Sequence, residues 1–139
     1  MADEIAILTG GCLCGALRYH AEGAPLAAGY CFCADCRKAS GSGFIPFIAV
    51  PAAAMRLSGE SRPFLCWSAR GTPAQRNFCP LCGGLVFGGD WGRDDTHTIY
   101  AGSLDDPALF RPRMAIFARD RPAWVPLPPG LEIYETMPD

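Results

Sequence analysis

The sequence predicts a mainly β fold with only short helical turns, folded as one compact domain over residues 1–139. Its length of 139 residues falls within the usual size of one domain, and 50% of its residues are apolar, which is enough for one continuous core. Glycine (16) and proline (13) together exceed a fifth of the chain, whereas charged residues make up 19%. Frequent turns and few long helices follow from that composition.

Five short segments have the alternating, β-rich pattern of strands and are bounded by turn residues. We predict strands at residues 16–21, 44–50, 64–68, 97–101 and 114–118. Helical structure is expected only as short pieces: a helix at 34–40, a turn at 51–55 and a turn at 105–110. In the last of these, Asp105 or Asp106 can cap the first turn, and Pro107 fits its first position.

The chain after Arg119 is rich in proline, which excludes a central strand or a helix interior there. We expect an extended segment that wraps over the body of the domain. Trp124 and Leu127 are predicted to anchor this segment, because a large aromatic side chain stabilises packing by burying much surface.

The charge balance argues against a nucleic-acid partner. The formal net charge is -2, the pI is about 5.6, and lysines and arginines form no run along the chain. The first residues include two acids and an apolar run of only four residues, which is too short for a signal peptide. No apolar run of about 18 residues occurs either. We therefore expect a soluble, cytoplasmic protein that binds neither nucleic acid nor membrane.

Eight cysteines are the most informative feature of the chain. In a reducing cytoplasm they favour metal binding or catalysis over a disulfide framework. Cys66 stands alone on a predicted strand and is expected to be a small buried apolar residue. The other seven fall in three clusters: a first cluster of Cys12 and Cys14, a middle cluster of Cys31, Cys33 and Cys36, and a third cluster of Cys79 and Cys82.

The spacings within these clusters are those of zinc ligands. Cysteines at positions i and i+2 of an extended segment share one face, and a Cys-x-x-Cys pair converges through a tight turn. The glycine after the third cluster, Gly83, can adopt a left-handed conformation that turns backbone amides toward the thiolates.

A structural zinc takes four protein ligands, whereas a catalytic zinc takes three and keeps one position open. Seven thiolates therefore divide as four plus three. The first and third clusters can combine and leave the middle cluster as the open site, or the two Cys-x-Cys pairs can share one ion. We prefer the first division, because the middle cluster is local enough to hold an ion by itself.

Five stretches of the chain together resemble the glutathione-dependent formaldehyde-activating enzyme family, which also includes centromere protein V. These stretches are GGCLCGALRY (10–19), CFCADCRKASGSGF (31–44), FCPLCGG (78–84), AGSLDDP (101–107) and AWV (123–125). The resemblance covers nearly the full length and implies a compact β fold of the tent type. It also implies a structural zinc on the first and third clusters and a catalytic zinc on the middle cluster.

The activity that the resemblance implies is the joining of formaldehyde to glutathione as S-hydroxymethylglutathione, or the cleavage of that adduct, which is carbon–sulfur lyase chemistry. A zinc ion with an open position can polarise an aldehyde oxygen or hold a thiolate beside the electrophile. We therefore expect a small thiol or aldehyde as partner, with glutathione as a candidate. The alternatives are a non-catalytic zinc-stabilised interaction module and the same site acting on another small electrophile.

This chain departs from the family pattern at two positions. Relatives often carry histidine where Phe32 and Ala115 stand here, so the protein works without those imidazoles and its substrate can differ. Arg37 and Lys38 are expected to offset the negative charge of a three-thiolate centre. Five other side chains are expected to be structural, the aromatic ones in the core or along an apolar pocket: His20, His97, Phe44, Phe47 and Trp91.

Overall fold

Residues 6–68 and 71–138 are described by a computed structural model of the chain. The strands of this part are β1 (Ala6–Gly11), β2 (Arg18–Gly23), β3 (Ala27–Cys31), β4 (Ile45–Pro51), β5 (Met55–Ser58), β6 (Arg62–Trp67), β7 (Pro73–Phe78), β8 (Leu85–Gly88), β9 (Thr96–Tyr100), β10 (Met114–Ile116) and β11 (Glu132–Ile133). The α-helix is α1 (Ala34–Ser40), and short 3-10 turns occur at Ala52–Ala54, Ala101–Ser103, Pro107–Leu109 and Ala118–Asp120. Within these residues, no helix has the length and apolar character needed to cross a membrane.

The strands form two sheets. The smaller sheet is antiparallel, with the order β1-β2-β5. The larger sheet has eight strands in the order β11-β10-β3-β4-β9-β8-β7-β6. Its neighbours are antiparallel from β3 through to β6, whereas β10 runs parallel to both β3 and β11. The prediction of a mainly β fold is confirmed.

The main core is shared by the two sheets, because alternate residues of each strand point to one face. Its members include Leu8, Tyr19, Ala21 and Met55 from the smaller sheet, and Ala28, Ile48, Val50, Phe87 and Ile99 from the larger sheet. Burial of each large apolar side chain contributes roughly 1.5–3 kcal/mol. Intervening residues of the larger sheet, such as Phe47 and Tyr100, line a cavity instead.

The predicted helix at 34–40 is confirmed, and each end has a local cause. At the start, the Cys33 sulfur accepts a hydrogen bond from the Cys36 amide, which is the role of an N-cap side chain. At the end, Gly41 adopts a left-handed conformation with φ 73°, and its amide donates to the Arg37 carbonyl. This short helix therefore holds two cysteines of the middle cluster in fixed positions.

All five predicted strands overlap observed strands, with ends shifted by one or two residues, and the turn at 51–55 is present as Ala52–Ala54. The strands that the sequence pattern did not indicate are β1, β3, β5, β7, β8 and β11. β3 (AAGYC) and β7 (PAQRNF) are poor in β-branched residues. Pairing with their neighbours makes them strands, because strand formation depends more on packing context than on intrinsic propensity.

The C-terminal segment is extended, as predicted, but Trp124 does not anchor it. Trp124 is 72% exposed, and Val125 is buried in its place, in an apolar cluster with Phe32 and Ala115. Leu127 packs against that cluster as expected. The turn fixes which side chain points inward, because the backbone amide of Val125 bonds to the carbonyl of Pro122.

Asp106, and not Asp105, caps the turn at Pro107–Leu109, where its carboxylate accepts from the Ala108 amide at 3.0 Å. Asp105 instead pairs with Arg18 and accepts from the Thr9 hydroxyl at 2.9 Å. These hydrogen bonds, with that from Arg18 as the stronger, lower the pKa of Asp105 to about 2. The Asp105 side chain therefore ties the segment after β9 to β1 and β2.

The predicted structural role of His97 fits its surroundings. His97 is buried on β9 against the rings of Phe87 and Trp91, whose centroids lie 5.7 and 5.0 Å from its own. Burial lowers the pKa of His97, because the charged imidazolium loses solvation. His20 is partly exposed on β2, with its Nε2 atom 3.5 Å from the Glu22 carboxylate.

We predict that burial of His97 makes the free energy of unfolding decrease as the pH falls through about 6.5, where an unfolded histidine binds its proton. The buried imidazole stays neutral to a lower pH, so this contribution to stability is present above that range and is lost below it. Urea unfolding at about pH 7.5 and about pH 5.5 measures the loss.

The loss between the two pH values should be smaller in His97→Phe than in the wild type. His20→Phe is the matched control and should retain the wild-type loss, because His97 is still present. An equal loss in the wild type and in His97→Phe would contradict the assignment.

Candidate metal centres and cavity

A four-cysteine set lies where β1 and β7 end. Cys12 and Cys14 follow β1, Cys79 and Cys82 follow β7, and their four sulfurs lie within 4.8 Å of one another. The Cys12–Cys14 and Cys14–Cys79 sulfur separations are both 3.7 Å. Four sulfurs that are each about 2.3 Å from an ion at the centre of a tetrahedron would be about 3.8 Å apart. The set therefore has the spacing of a closed tetrahedral metal site.

Backbone amides surround this set. Three of them donate to sulfurs: Leu17 to Cys12 (3.2 Å), Leu81 to Cys79 (3.4 Å) and Gly84 to Cys82 (3.4 Å). Burial raises the pKa of Cys12, but hydrogen bonds from the Leu17 amide and the neighbouring thiols outweigh burial and lower that pKa to about 6. Gly83 has φ 75°, the left-handed conformation expected from the sequence.

A three-cysteine set lies at the start of α1. Cys31 ends β3, Cys33 caps α1 and Cys36 lies in its first turn, and all three side chains are buried. Their sulfurs lie within 4.8 Å of one another, and within the described part of the chain no further cysteine, histidine, aspartate or glutamate joins them. The set can therefore hold a metal ion through three thiolates and leave one position for another ligand.

The three thiols compete for their protons. Hydrogen bonds from Cys31 and Cys36 lower the pKa of Cys33, and the contacts of Cys31 with Cys33 and Cys36 raise the pKa of Cys31. For Cys36, the contact with Cys31 lowers the pKa, but the contact with Cys33 and burial outweigh it and raise the pKa to about 11. Metal binding by this set would release the thiol protons, because the ligand form of cysteine is the thiolate.

The three-cysteine set opens on a cavity of about 460 Å³, and all three of its cysteines line the wall. Apolar side chains, including Ile45, Phe47 and Ile116, make up much of the surface, and Met137 and Pro138 of the C-terminal segment complete it. Polar groups come mainly from β7 and β9: Gln75, Arg76, Thr96, Thr98 and Tyr100. No cysteine of the four-cysteine set lines this cavity. A small molecule in the cavity therefore meets only the sulfurs of the three-cysteine set.

The cation beside the three-cysteine set is Arg76 on β7. Arg76 is 9% exposed, and its Nη2 atom lies 3.9 Å from the Cys36 sulfur. Arg37 and Lys38, which we predicted to offset the charge there, do not line the cavity, and Lys38 is exposed. Their contribution to the charge balance stays a prediction. Arg76 is 40 residues from Cys36 in the sequence, so no local pattern indicated it.

Cys66 lies on the edge strand β6 and is only half-buried, so the expectation of a buried apolar cysteine is wrong. Its sulfur is 3.5 Å from the Arg76 Nη1 atom. Five of the six residues of β6 are exposed, so this strand packs little against the core and Cys66 is only partly covered.

The three aromatic residues that we expected in the core or along an apolar pocket have different surroundings. Phe47 lines the cavity, whereas Phe44 packs edge-to-face on Tyr30 and Trp91 packs against Phe87 and His97.

At neither of the two positions where we expected a departure from the family pattern does the side chain line the cavity. Phe32 and Ala115 are both buried in the apolar cluster with Val125, and neither lines the cavity wall. Phe32 also packs on Phe44, with ring centroids 5.6 Å apart. In this chain the two positions contribute to packing.

Comparison with known proteins agrees with this geometry. A model of the family described as "Glutathione-dependent formaldehyde-activating enzyme" matches residues 7–120, which contain both cysteine sets. The chain belongs to this family. It is also similar in fold to a crystal structure of a Rhodobacter sphaeroides protein, with a TM-score of 0.54 and 18% sequence identity, over 91% of this chain and 98% of that one. No curated protein matches the chain significantly.

In this family member, the structure suits the two cysteine sets to different tasks. The four-cysteine set offers a complete tetrahedron of sulfurs and can hold a metal that joins β1 to β7. The three-cysteine set offers three sulfurs of an incomplete tetrahedron beside a cavity, and can hold a metal that also binds a small molecule.

We predict that Cys79→Ser lowers thermal stability far more than Cys66→Ser. Loss of a residue that only supports a metal ligand costs about 10–100-fold in metal affinity, so loss of a ligand should cost at least as much. For a domain of this size, a decrease of about 3 kcal/mol in the free energy of unfolding lowers the melting temperature by roughly 10 °C. Calorimetry with metal analysis of the same samples checks this. Equal melting temperatures for the two variants would be evidence against a structural metal at this set.

Proposed function

We propose that the protein is a zinc-dependent enzyme of the carbon–sulfur lyase type, which forms or cleaves a thiol–aldehyde adduct such as S-hydroxymethylglutathione. The four-cysteine set is proposed to hold a structural zinc and the three-cysteine set a catalytic zinc. One observation carries the proposal: three buried sulfurs, without a fourth ligand from the described residues, line a cavity of the size that small-molecule sites have. Cys31, Cys33 and Cys36 are thus the proposed catalytic site.

The proposed reaction needs no redox partner. In adduct formation, the thiol sulfur bonds to the aldehyde carbon, the second bond of the carbonyl opens, and the thiol proton passes to the oxygen; cleavage is the reverse. A zinc ion with an open position supplies a Lewis acid that can hold a sulfur as thiolate or polarise an aldehyde oxygen. The name of the family supports glutathione and formaldehyde as the substrate pair.

Other residues of the cavity have properties that suit this chemistry. Ile45, Phe47 and Ile116 exclude water from the reacting groups, which strengthens electrostatic interactions there. Burial raises the pKa of Tyr100, so its phenol keeps its proton and can donate a hydrogen bond to the oxygen on which negative charge develops. Arg76 supplies positive charge beside the thiolates.

A second candidate function is a non-catalytic, zinc-stabilised interaction module. The observation that favours it is the edge strand β6, on which Phe64, Leu65 and Trp67 are all largely exposed. An unpaired apolar edge of a sheet is a ready site for pairing with another chain. A third candidate keeps the catalytic site and changes the substrate to another small electrophile.

We predict that the zinc-loaded protein accelerates the exchange between free formaldehyde, glutathione and their adduct, as measured by exchange NMR after subtraction of the uncatalysed rate. Cys33→Ser should lose at least about tenfold of this acceleration, because even a supporting residue of a metal site has an effect of that size. Cys66→Ser is the matched control and should keep the wild-type rate, because Cys66 belongs to neither cysteine set. No acceleration by the wild type, or an acceleration that Cys33→Ser leaves unchanged, would reject the proposed activity.

We also predict that an added thiol changes the visible absorption of the cobalt-substituted protein, because the open position of the three-cysteine set accepts it. The change should disappear in Cys33→Ser and persist in Cys66→Ser. A silent spectrum in the wild type would favour the interaction module, in which both metal sites are closed.

A further inference from the structure

Arg76 is a buried cation whose hydrogen-bonding capacity is largely unused. A guanidinium group has five N–H donors and needs acceptors when it is removed from water. Among the described residues, Nη1 and Nη2 form hydrogen bonds only to sulfurs, which are weak acceptors, at 3.5 and 3.9 Å, and the buried Nε has no hydrogen-bond partner. Among residues 6–68 and 71–138, no carboxylate forms an ion pair with Arg76.

The position of Arg76 makes this unused capacity available to a ligand. Arg76 lines the cavity, and its cross-strand neighbour is Gly88, which has no side chain to cover it. A side chain at Gly88 would begin 2.7 Å from the Tyr100 hydroxyl, so the glycine keeps this part of the cavity open. Arg76 and Tyr100 therefore share an open region of the wall.

The charges of the cavity wall are also informative. Among the described residues that line it, Arg76 is the one cation and Asp94 is the one carboxylate. The Asp94 carboxylate already accepts a hydrogen bond from the Asp90 amide at 2.8 Å, within its own turn. Among these described residues, an anionic group that enters the cavity meets a single cation, Arg76, beside the proposed reactive sulfurs.

We propose that Arg76 binds a carboxylate of the substrate, so that the site prefers thiols that carry a carboxylate over uncharged thiols. This inference rests on the proposed function, since it takes the three-cysteine set as the place where the substrate sulfur binds. Arginine forms paired, charge-assisted hydrogen bonds with a carboxylate, which gives both affinity and orientation. Because Arg76 lies beside Cys36, even a short mercapto acid can place its carboxylate on Arg76 while its sulfur lies at the three-cysteine set.

The test compares two thiols that differ in charge and little else. The zinc-loaded protein is titrated by calorimetry with 3-mercaptopropionate and with its uncharged analogue 3-mercapto-1-propanol. We expect the wild type to bind the acid at least about tenfold more tightly, which is a modest value for hydrogen bonds to a charged group. Arg76→Gln should lose this preference, so that the two thiols bind with similar affinity. Arg56→Gln, which changes an exposed arginine of the smaller sheet, is the matched control and should keep the preference.

Three outcomes would overturn the inference. Equal affinity of the wild type for the two thiols rejects the carboxylate site and leaves the proposed function standing. A decrease by the same factor for both thiols in Arg76→Gln also rejects it, because Arg76 would then only balance the charge of the thiolates. No binding of either thiol by the wild type rejects both the inference and the proposed open site.

Should glutamine prevent folding, Arg76→Lys decides the question. Lysine keeps the buried charge and loses the paired geometry. A preference that falls severalfold, with unchanged affinity for the alcohol, supports the carboxylate site. If the affinities for the acid and the alcohol change by the same factor, the carboxylate site is rejected.

Discussion

The convergence of four sulfurs at the ends of β1 and β7 is the constraint on which the rest of the structure depends. β1 belongs to the smaller sheet and β7 to the larger one, so this set joins the two layers. Cys79 is fully buried in the main core, together with Leu17 and Val86. A metal bound there would add its binding free energy directly to folding, because the unfolded chain has no such preformed site.

The position of the cavity follows from this layered arrangement. One face of the larger sheet is covered by the smaller sheet, so the residues that point the other way are free to line a cavity. The three-cysteine set lies at its edge, because β3 ends at Cys31 and α1 begins immediately afterwards. The strands that support the core therefore also support the sulfurs that face the cavity, and this rigid support is what a reactive site needs.

The electrostatics of the cavity depend on a residue that is distant in sequence. Three thiolates and one divalent ion would carry a net negative charge, and Arg76 lies where it can balance that charge. A buried guanidinium without acceptors is costly, and such groups persist where they have a task. In this chain the surroundings of Arg76 are an open cavity, the Tyr100 phenol and the sulfurs, and together these make a polar site in an otherwise apolar wall.

The sequence by itself determined the features that depend on neighbours along the chain. Composition and short alternating segments indicated a mainly β fold. The spacing within each cysteine cluster indicated metal ligation, and the helix at 34–40 could be placed to the residue, because its caps are local.

Other features were decided only by the tertiary structure, because they depend on strands that pair over long distances in the sequence. Cys14 and Cys79 lie 65 residues apart, so spacing alone left two ways to combine the clusters. Strand register likewise brings Arg76 to the three-cysteine set, and the backbone of the C-terminal segment buries Val125 in place of Trp124. Residues that meet across a sheet leave no periodic signal in the sequence, because their separation is set by the loops and strands between them.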